Sequence, residues 1–325
     1  MSTTVRGGAL AQILALLVLC AVGAELLTAY AATTGNPARV AFEVVFFAAL
    51  YGAPALVVRD VVRRRGWGWP SLLLLFAALG VTQAALIDQS LFSVDYQGYE
   101  GWEQTRSATL VPALGVSAFN VFNFFVGHVI FSFGAPMAVA EAWAPARADR
   151  PWLGRLGRVV ALAAYLATAA LIVSDAQSRS GSPTQLATSA VVVALLVIAA
   201  VGWGRRGRPQ SDDRRPLRAR SAFLVAFLAA AVIAVCPETW VGVSVASTTT
   251  ALLAGWLLWI SRRRSVGLRA IAAVGLAFLV VRGLLAFTYF PLAGDVAAGP
   301  KYAHNVVMML VVVLAGALAL RRRTT

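Results

Sequence analysis

Charge, histidine and cysteine are scarce in this chain. Charged residues make up 13% of it, too few to clothe a water-soluble surface. Its two cysteines, Cys20 and Cys236, cannot build a disulfide framework or a metal knuckle, and both fall in or at the end of apolar runs, where a thiol packs as a small apolar group. Its two histidines, His128 and His304, fall short of the three protein ligands of a catalytic zinc site. There is no HExxH pair, and a shared metal would need a carboxylate such as Glu43 to join them. The glycine-rich loop and lysine that cradle a phosphate are also missing. No catalytic set, metal or cofactor is therefore expected.

Long apolar stretches fill the space left by these absences. Hydrophobic residues make up 59% of the chain, and a membrane-spanning helix needs about 20 mostly apolar residues. Ten stretches qualify: Gly8–Ala32, Arg39–Val58, Trp69–Ile87, Leu110–Ala140, Gly157–Val173, Thr184–Trp203, Ser221–Val235, Trp240–Ile260, Val266–Phe290 and Ala303–Leu320. The fold class this predicts is all-α, a polytopic helical bundle forming one integral membrane domain over residues 1–325. The basic loop 204–220 divides it into possible halves, 1–203 and 221–325. Two halves of this kind can be inverted repeats, as in many secondary transporters. A competing reading takes Ala29-Tyr30-Ala31 as a signal-peptide cleavage site, which would leave nine spans.

The loops alternate between arginine-rich and arginine-poor. With the N-terminus in the cytoplasm, Arg6, four arginines at 59–65, four at 147–158, seven at 205–220, four at 262–269 and three at 321–323 face inward. Arg39, Arg106, Arg179 and Lys301 face outward, and Arg282 lies within a span. Lysine and arginine accumulate in cytoplasmic loops, so the chain reads N-in and C-in, in the plasma or inner membrane. The net charge of +14 is spread over those loops, which points to anionic lipid headgroups rather than nucleic acid as its partner. Trp67, Trp69, Trp203, Trp240 and Trp259 sit at span ends, as interfacial anchors do. The outer loop Asp88–Thr109, with Tyr96, Tyr99 and Trp102 among three carboxylates, is expected along the outer membrane surface.

Ionisable and amide groups inside spans are costly, and usually face a cavity or one another. Glu25, Glu43, His128 and Arg282 are of this kind. Asn120 and Asn123 fall on one face of the fourth stretch with Ser117, Gly127, Phe131 and Gly134. Together Glu25, Glu43, Asn120, Asn123, His128 and Arg282 outline a polar cavity in the outer half of the membrane. Equal depths predict an Arg282–Glu25 ion pair, or a triad with Glu43.

Tyr51-Gly52-Ala53-Pro54 through Arg59, then Arg63-Arg64-Arg65-Gly66, Gly68-Trp69-Pro70-Ser71 and Gln89-Ser90-Leu91-Phe92, resemble a group of uncharacterised bacterial multi-pass membrane proteins. That resemblance spans the first 145 residues or so and implies no activity. Phe124 and His128 have the FxxxH spacing of the CPBP intramembrane proteases (CAAX proteases and bacteriocin-processing proteins). Where those enzymes carry paired glutamates this chain has Thr82-Gln83-Ala84-Ala85, and Met308 follows His304 where Asn or Asp belongs. Such a relative would be degenerate, lacking the carboxylate that activates water. The residues favour a permease or a lipid- or small-molecule-handling protein. A membrane-embedded enzyme and a non-catalytic accessory subunit are the alternatives.

Overall fold

A computed structural model describes residues 3–206 and 214–321, with side chains from Ala9 onward. Part of the basic loop 204–220, the Arg6 side chain and residues 322–325 lie outside the described residues. The expected helical bundle is present. Its helices are α1 (Thr3–Ala24), α2 (Pro37–Arg64), α3 (Trp69–Ile87), α4 (Ala118–Ala142), α5 (Arg155–Ser174), α6 (Pro183–Gly204), α7 (Ala219–Ala234), α8 (Trp240–Arg263), α9 (Leu268–Leu285) and α10 (Ala298–Leu320). Eight are long and apolar enough to cross a membrane, while Ala9–Ala24 and Ala219–Ala234 are shorter apolar helices.

Helices α1, α4 and α9 form the centre. Leu16, Cys20 and Ala21 of α1 are wholly enclosed, and Gly275 of α9 sits so near α4 that an added Cβ would lie 2.8 Å from the Ala135 Cα. Close approach of small residues is how helices gain contact where lipid offers no hydrophobic drive. By contrast α5, α6 and α8 bury under a fifth of their apolar windows and present Leu156, Leu166, Leu195, Ile198, Leu252 and Leu258 outward, the surface an acyl environment requires.

Several stretches end elsewhere than hydropathy predicts. The first helix stops at Ala24 rather than Ala32, giving way to a 3-10 turn at Leu26–Thr28 and a left-handed Ala29. The fourth begins at Ala118, capped by the Ser117 hydroxyl, because residues 110–117 form a two-stranded hairpin around Gly115 at φ 67°. The second runs on past Val58 to Arg64. Trp67 is no interfacial anchor: it is buried against Gly204, where any Cβ would strike its ring. Trp203, Trp240 and Trp259 are half exposed.

The loops gather at two ends. At the arginine-poor end, Leu292 N–H donates to Tyr30 O at 2.8 Å, Glu100 N–H to Leu292 O at 3.2 Å, and Gln185 to Leu114 O at 2.9 Å. The loop Asp88–Thr109 folds over this end through a short helix, Trp102–Ala108, and Thr105 bonds Glu238.

Candidate functional site

Three spans leave α-geometry for a π-helical turn: Ala48–Gly52 in α2, Thr82–Ile87 in α3 and His128–Gly134 in α4. Such wide turns cost hydrogen-bond quality and recur at functional sites. These three carry Tyr51, Gln83 and His128. The Tyr51 and His128 rings meet at 5.6 Å between centroids, and Gly80 lets α3 pass against His128. His128 Nδ1 lies 2.9 Å from Ser132 Oγ, and its Nε2 is buried without a partner.

Tyr51 also links this region to Glu25. Its hydroxyl donates to Glu25 Oε1 at 2.7 Å, and the Tyr30 hydroxyl donates to Oε2. A chain of rings leads outward from there. Phe133, Tyr51, His128, Phe124, Trp102, Tyr96, Tyr99 and Tyr30 succeed one another with centroids 5.0–6.4 Å apart.

Arg282 comes from the last turn of α9. One Nη donates to Ala24 O at 3.2 Å, and its guanidinium carbon lies 4.2 Å from the Phe131 ring centroid. Glu25, Tyr30, Tyr51 and Tyr289 lie within electrostatic range of it. The expected ion pair with Glu25 is not formed directly: among the described residues no carboxylate lies within 4.0 Å of the guanidinium, and Nε is buried and unpartnered. The early end of α1 is the reason. Glu25 falls just past the last helical residue, where its carboxylate turns to the tyrosines while Arg282 takes the carbonyl before it. The next carbonyls are capped likewise, Leu26 O by His304 Nε2 at 2.8 Å and Thr28 O by the Tyr289 hydroxyl at 2.5 Å. These groups bind carbonyls at the end of α1 and in the 3-10 turn that follows it, and the negative dipole end of α1 favours the Arg282 cation.

The remaining expected site residues are dispersed. Glu43, half-buried, sits by the Thr33 side chain and within range of Glu25. Asn120 is buried at the start of α4, whereas Asn123 one turn later is exposed, so the amides do not share a surface. His304 serves α1 and lies apart from His128. No metal-binding group of His, Cys, Asp or Glu occurs among the described residues.

Asp88 was not among the candidates inside the spans, yet it is buried just beyond the end of α3. Ser90 N–H donates to its Oδ1 at 2.9 Å. Burial pushes its pKa up to about 6 from 3.8, with Glu25 adding to the rise and Ser90 and Gln83 opposing it. A raised carboxyl pKa means that the folded state binds the proton more tightly than the unfolded one. Its contribution to stability is then fully present below pH 4 and lost as pH rises from about 4 to 6, by about 3 kcal/mol in all. Between those pH values the thermal midpoint of the native protein should fall relative to that of Asp88→Asn. Parallel curves for the two would show that Asp88 titrates normally.

A second polar cluster closes the arginine-rich end. Arg59 and Glu141, both without accessible surface, meet at 2.9 Å, and Arg63 binds the same carboxylate at 2.9 and 2.6 Å. Arg59 also donates to the carbonyls of Arg147, Ala148 and Arg150 and stacks 3.4 Å over the Trp152 ring. Asp60 accepts the N–H groups of Trp152 and Leu153 and an ion pair from Arg64. Counting loop charges missed this cluster. The i, i+4 spacing of Arg59 with Arg63 and of Asp60 with Arg64 was its available signal.

The chain matches the model of an uncharacterized membrane protein family over residues 13–323, and it belongs to that family. No curated protein and no solved structure matches it.

Proposed function

We propose that this multi-pass membrane protein is a permease or a lipid- or small-molecule-handling protein whose ligand carries an anionic group held by Arg282. One observation carries the reading: a guanidinium within the membrane bundle with, among the described residues, a single hydrogen bond and no carboxylate within 4.0 Å. Arginine keeps its charge and has five donors, and the α1 carbonyl satisfies one of them. Arg282, Glu25 and Tyr30 are half-buried, whereas Tyr51 and His128 are buried, so a ligand reaches the first three before the last two. The ring chain supplies an apolar wall, and the tyrosine hydroxyls supply donors that fix its orientation.

The test is thermal stabilisation of the purified protein by soluble carboxylates, phosphates and short-chain phospholipids. A ligand at a hundredfold excess over its Kd stabilises by about 2.7 kcal/mol. At least one anion should raise the midpoint of the native protein, raise that of Arg282→Lys less, and leave that of Arg282→Met unmoved. Equal stabilisation of Arg282→Met, or no response to any anion, would overturn the reading.

The same proposal places the arginine-poor end, with this site, outside the cytoplasm. In a Cys236→Ser background, cysteine at the exposed Asp95 should react with an impermeant maleimide on intact cells, while cysteine at the exposed Gly154 should not. The reverse labelling pattern would invert the orientation.

A further inference from the structure

Helices α7 and α8 are sequence neighbours of unequal length, 16 and 24 residues. The difference of eight residues is roughly 12 Å along the axis. It leaves a recess of about 660 Å³ beside the start of α7, at the arginine-rich end. Arg215, Arg218 and Arg264 line its mouth, and Leu217, Ile260 and Trp256 line its wall. Among the described residues no acidic side chain lines it.

The mouth is held in shape by backbone. Pro216 and Ser265 form a parallel bridge, with Leu217 N–H donating to Ser265 O at 3.0 Å and Ser265 N–H to Arg215 O at 3.2 Å. Arg214 ties the same segment to α8 through Ser261 O at 2.7 Å. Arg215, Arg218 and Arg264 themselves carry no side-chain hydrogen bond or ion pair among the described residues. Three cations are thus gathered on a fixed turn with no counter-charge among the described residues. The first turn of α7 adds its positive dipole end.

We propose that this recess is a discrete site for one anionic phospholipid. The phosphate sits among Arg215, Arg218 and Arg264, whose planar donors suit bidentate phosphate contacts. An acyl chain descends along Ile260 and Trp256. Trp256 lies eight residues from Arg264, about 12 Å in helical rise, which spans a headgroup and the first methylenes. A free phosphate would use the arginines but leave the apolar wall empty, so the lipid is the occupant that fills both. This site is separate from the one around Arg282, and its failure would leave that reading untouched.

The experiment reconstitutes the full chain in nanodiscs of phosphatidylcholine doped with phosphatidylglycerol. It then extracts the protein in detergent at about 1 M sodium chloride, where the Debye length is about 3 Å and diffuse attraction is screened. Retained lipids are counted by mass spectrometry. The native protein should keep phosphatidylglycerol in preference to phosphatidylcholine. The triple variant Arg215→Gln, Arg218→Gln, Arg264→Gln should reduce that retention by about tenfold or more. A charge-matched triple away from the recess, Arg65→Gln, Arg155→Gln, Arg206→Gln, should change it by less than about twofold. Trp256→Ala should lower retention of both lipids while keeping the preference, and it decides the matter if the recess triple does not fold. Equal losses in the two triples, no loss in Trp256→Ala, or displacement of the lipid by millimolar inorganic phosphate would each overturn the proposal.

Discussion

Glu141→Gln is expected to lower the unfolding midpoint of the solubilised protein by roughly 10 °C. One buried carboxylate neutralises two guanidinium groups, those of Arg59 and Arg63, at 2.6–2.9 Å. Removing one partner of a buried pair costs about 3–5 kcal/mol, because the charge left behind has neither water nor counter-ion. In a large domain each kcal/mol is worth about 2–4 °C. Arg59 retains three carbonyl acceptors and the Trp152 ring at 3.4 Å, whereas Arg63 retains one long bond to Trp67 O at 3.4 Å and the more distant Trp69 ring at 5.9 Å. Arg63 is therefore the more severely stranded of the two. Adding Arg63→Met to Glu141→Gln should recover part of the loss, while adding Arg59→Met should not, since that takes the donor from the Ala148 and Arg150 carbonyls as well. A midpoint shift under about 2 °C for Glu141→Gln would mean that water reaches this cluster.

Gly23→Val should destabilise the protein by about 3 kcal/mol and also abolish any stabilisation by an Arg282 ligand. A Cβ at Gly23 would lie 2.4 Å from the Phe131 carbonyl oxygen and 3.1 Å from Leu279 Cδ2. Leu279 can change rotamer, but the carbonyl belongs to the π-turn His128–Gly134 and moves only with its backbone. Overpacking costs about 1–3 kcal/mol, and a backbone clash belongs at the upper end. The shift would carry Phe131 away from Arg282 and α1 away from Tyr51. Gly255→Ala, on an open face of α8 with nothing within 4 Å, is the control and should be neutral or slightly stabilising through helix propensity. Unchanged anion stabilisation in Gly23→Val would show that the crossing of α1 and α4 does not shape the site.

Glu25 and Arg282 were identifiable from the sequence because a charge in an apolar run violates the hydropathy of its surroundings. Their mutual geometry was not, because it turns on where α1 stops. Apolarity continues to Ala32 although the helix ends at Ala24. Arg59 was misplaced for the converse reason: the apolar run ends at Val58, so the residues beyond it read as loop. The helix in fact continues to Arg64, and Glu141, 82 residues away, makes burial of Arg59 tolerable. The π-turns had no sequence signal, since one wide turn alters the hydrogen-bonding register without altering composition. They also rotate the faces of α4, which is one reason a single helical wheel from Ser117 to Gly134 does not hold.

Composition and periodicity alone settle that this chain is an all-α membrane bundle. Transfer of apolar side chains into lipid is additive along the chain and depends on no distant partner. Tertiary structure alone decides which charges are paired and which are left over. A buried charge takes whichever counter-charge, carbonyl or ring the packing brings within about 4 Å, and for Arg59, Arg63 and Arg282 those partners come from other helices. What remains unsatisfied among the described residues after that pairing is Arg282 at one end and Arg215, Arg218 and Arg264 at the other, the two places proposed for a ligand.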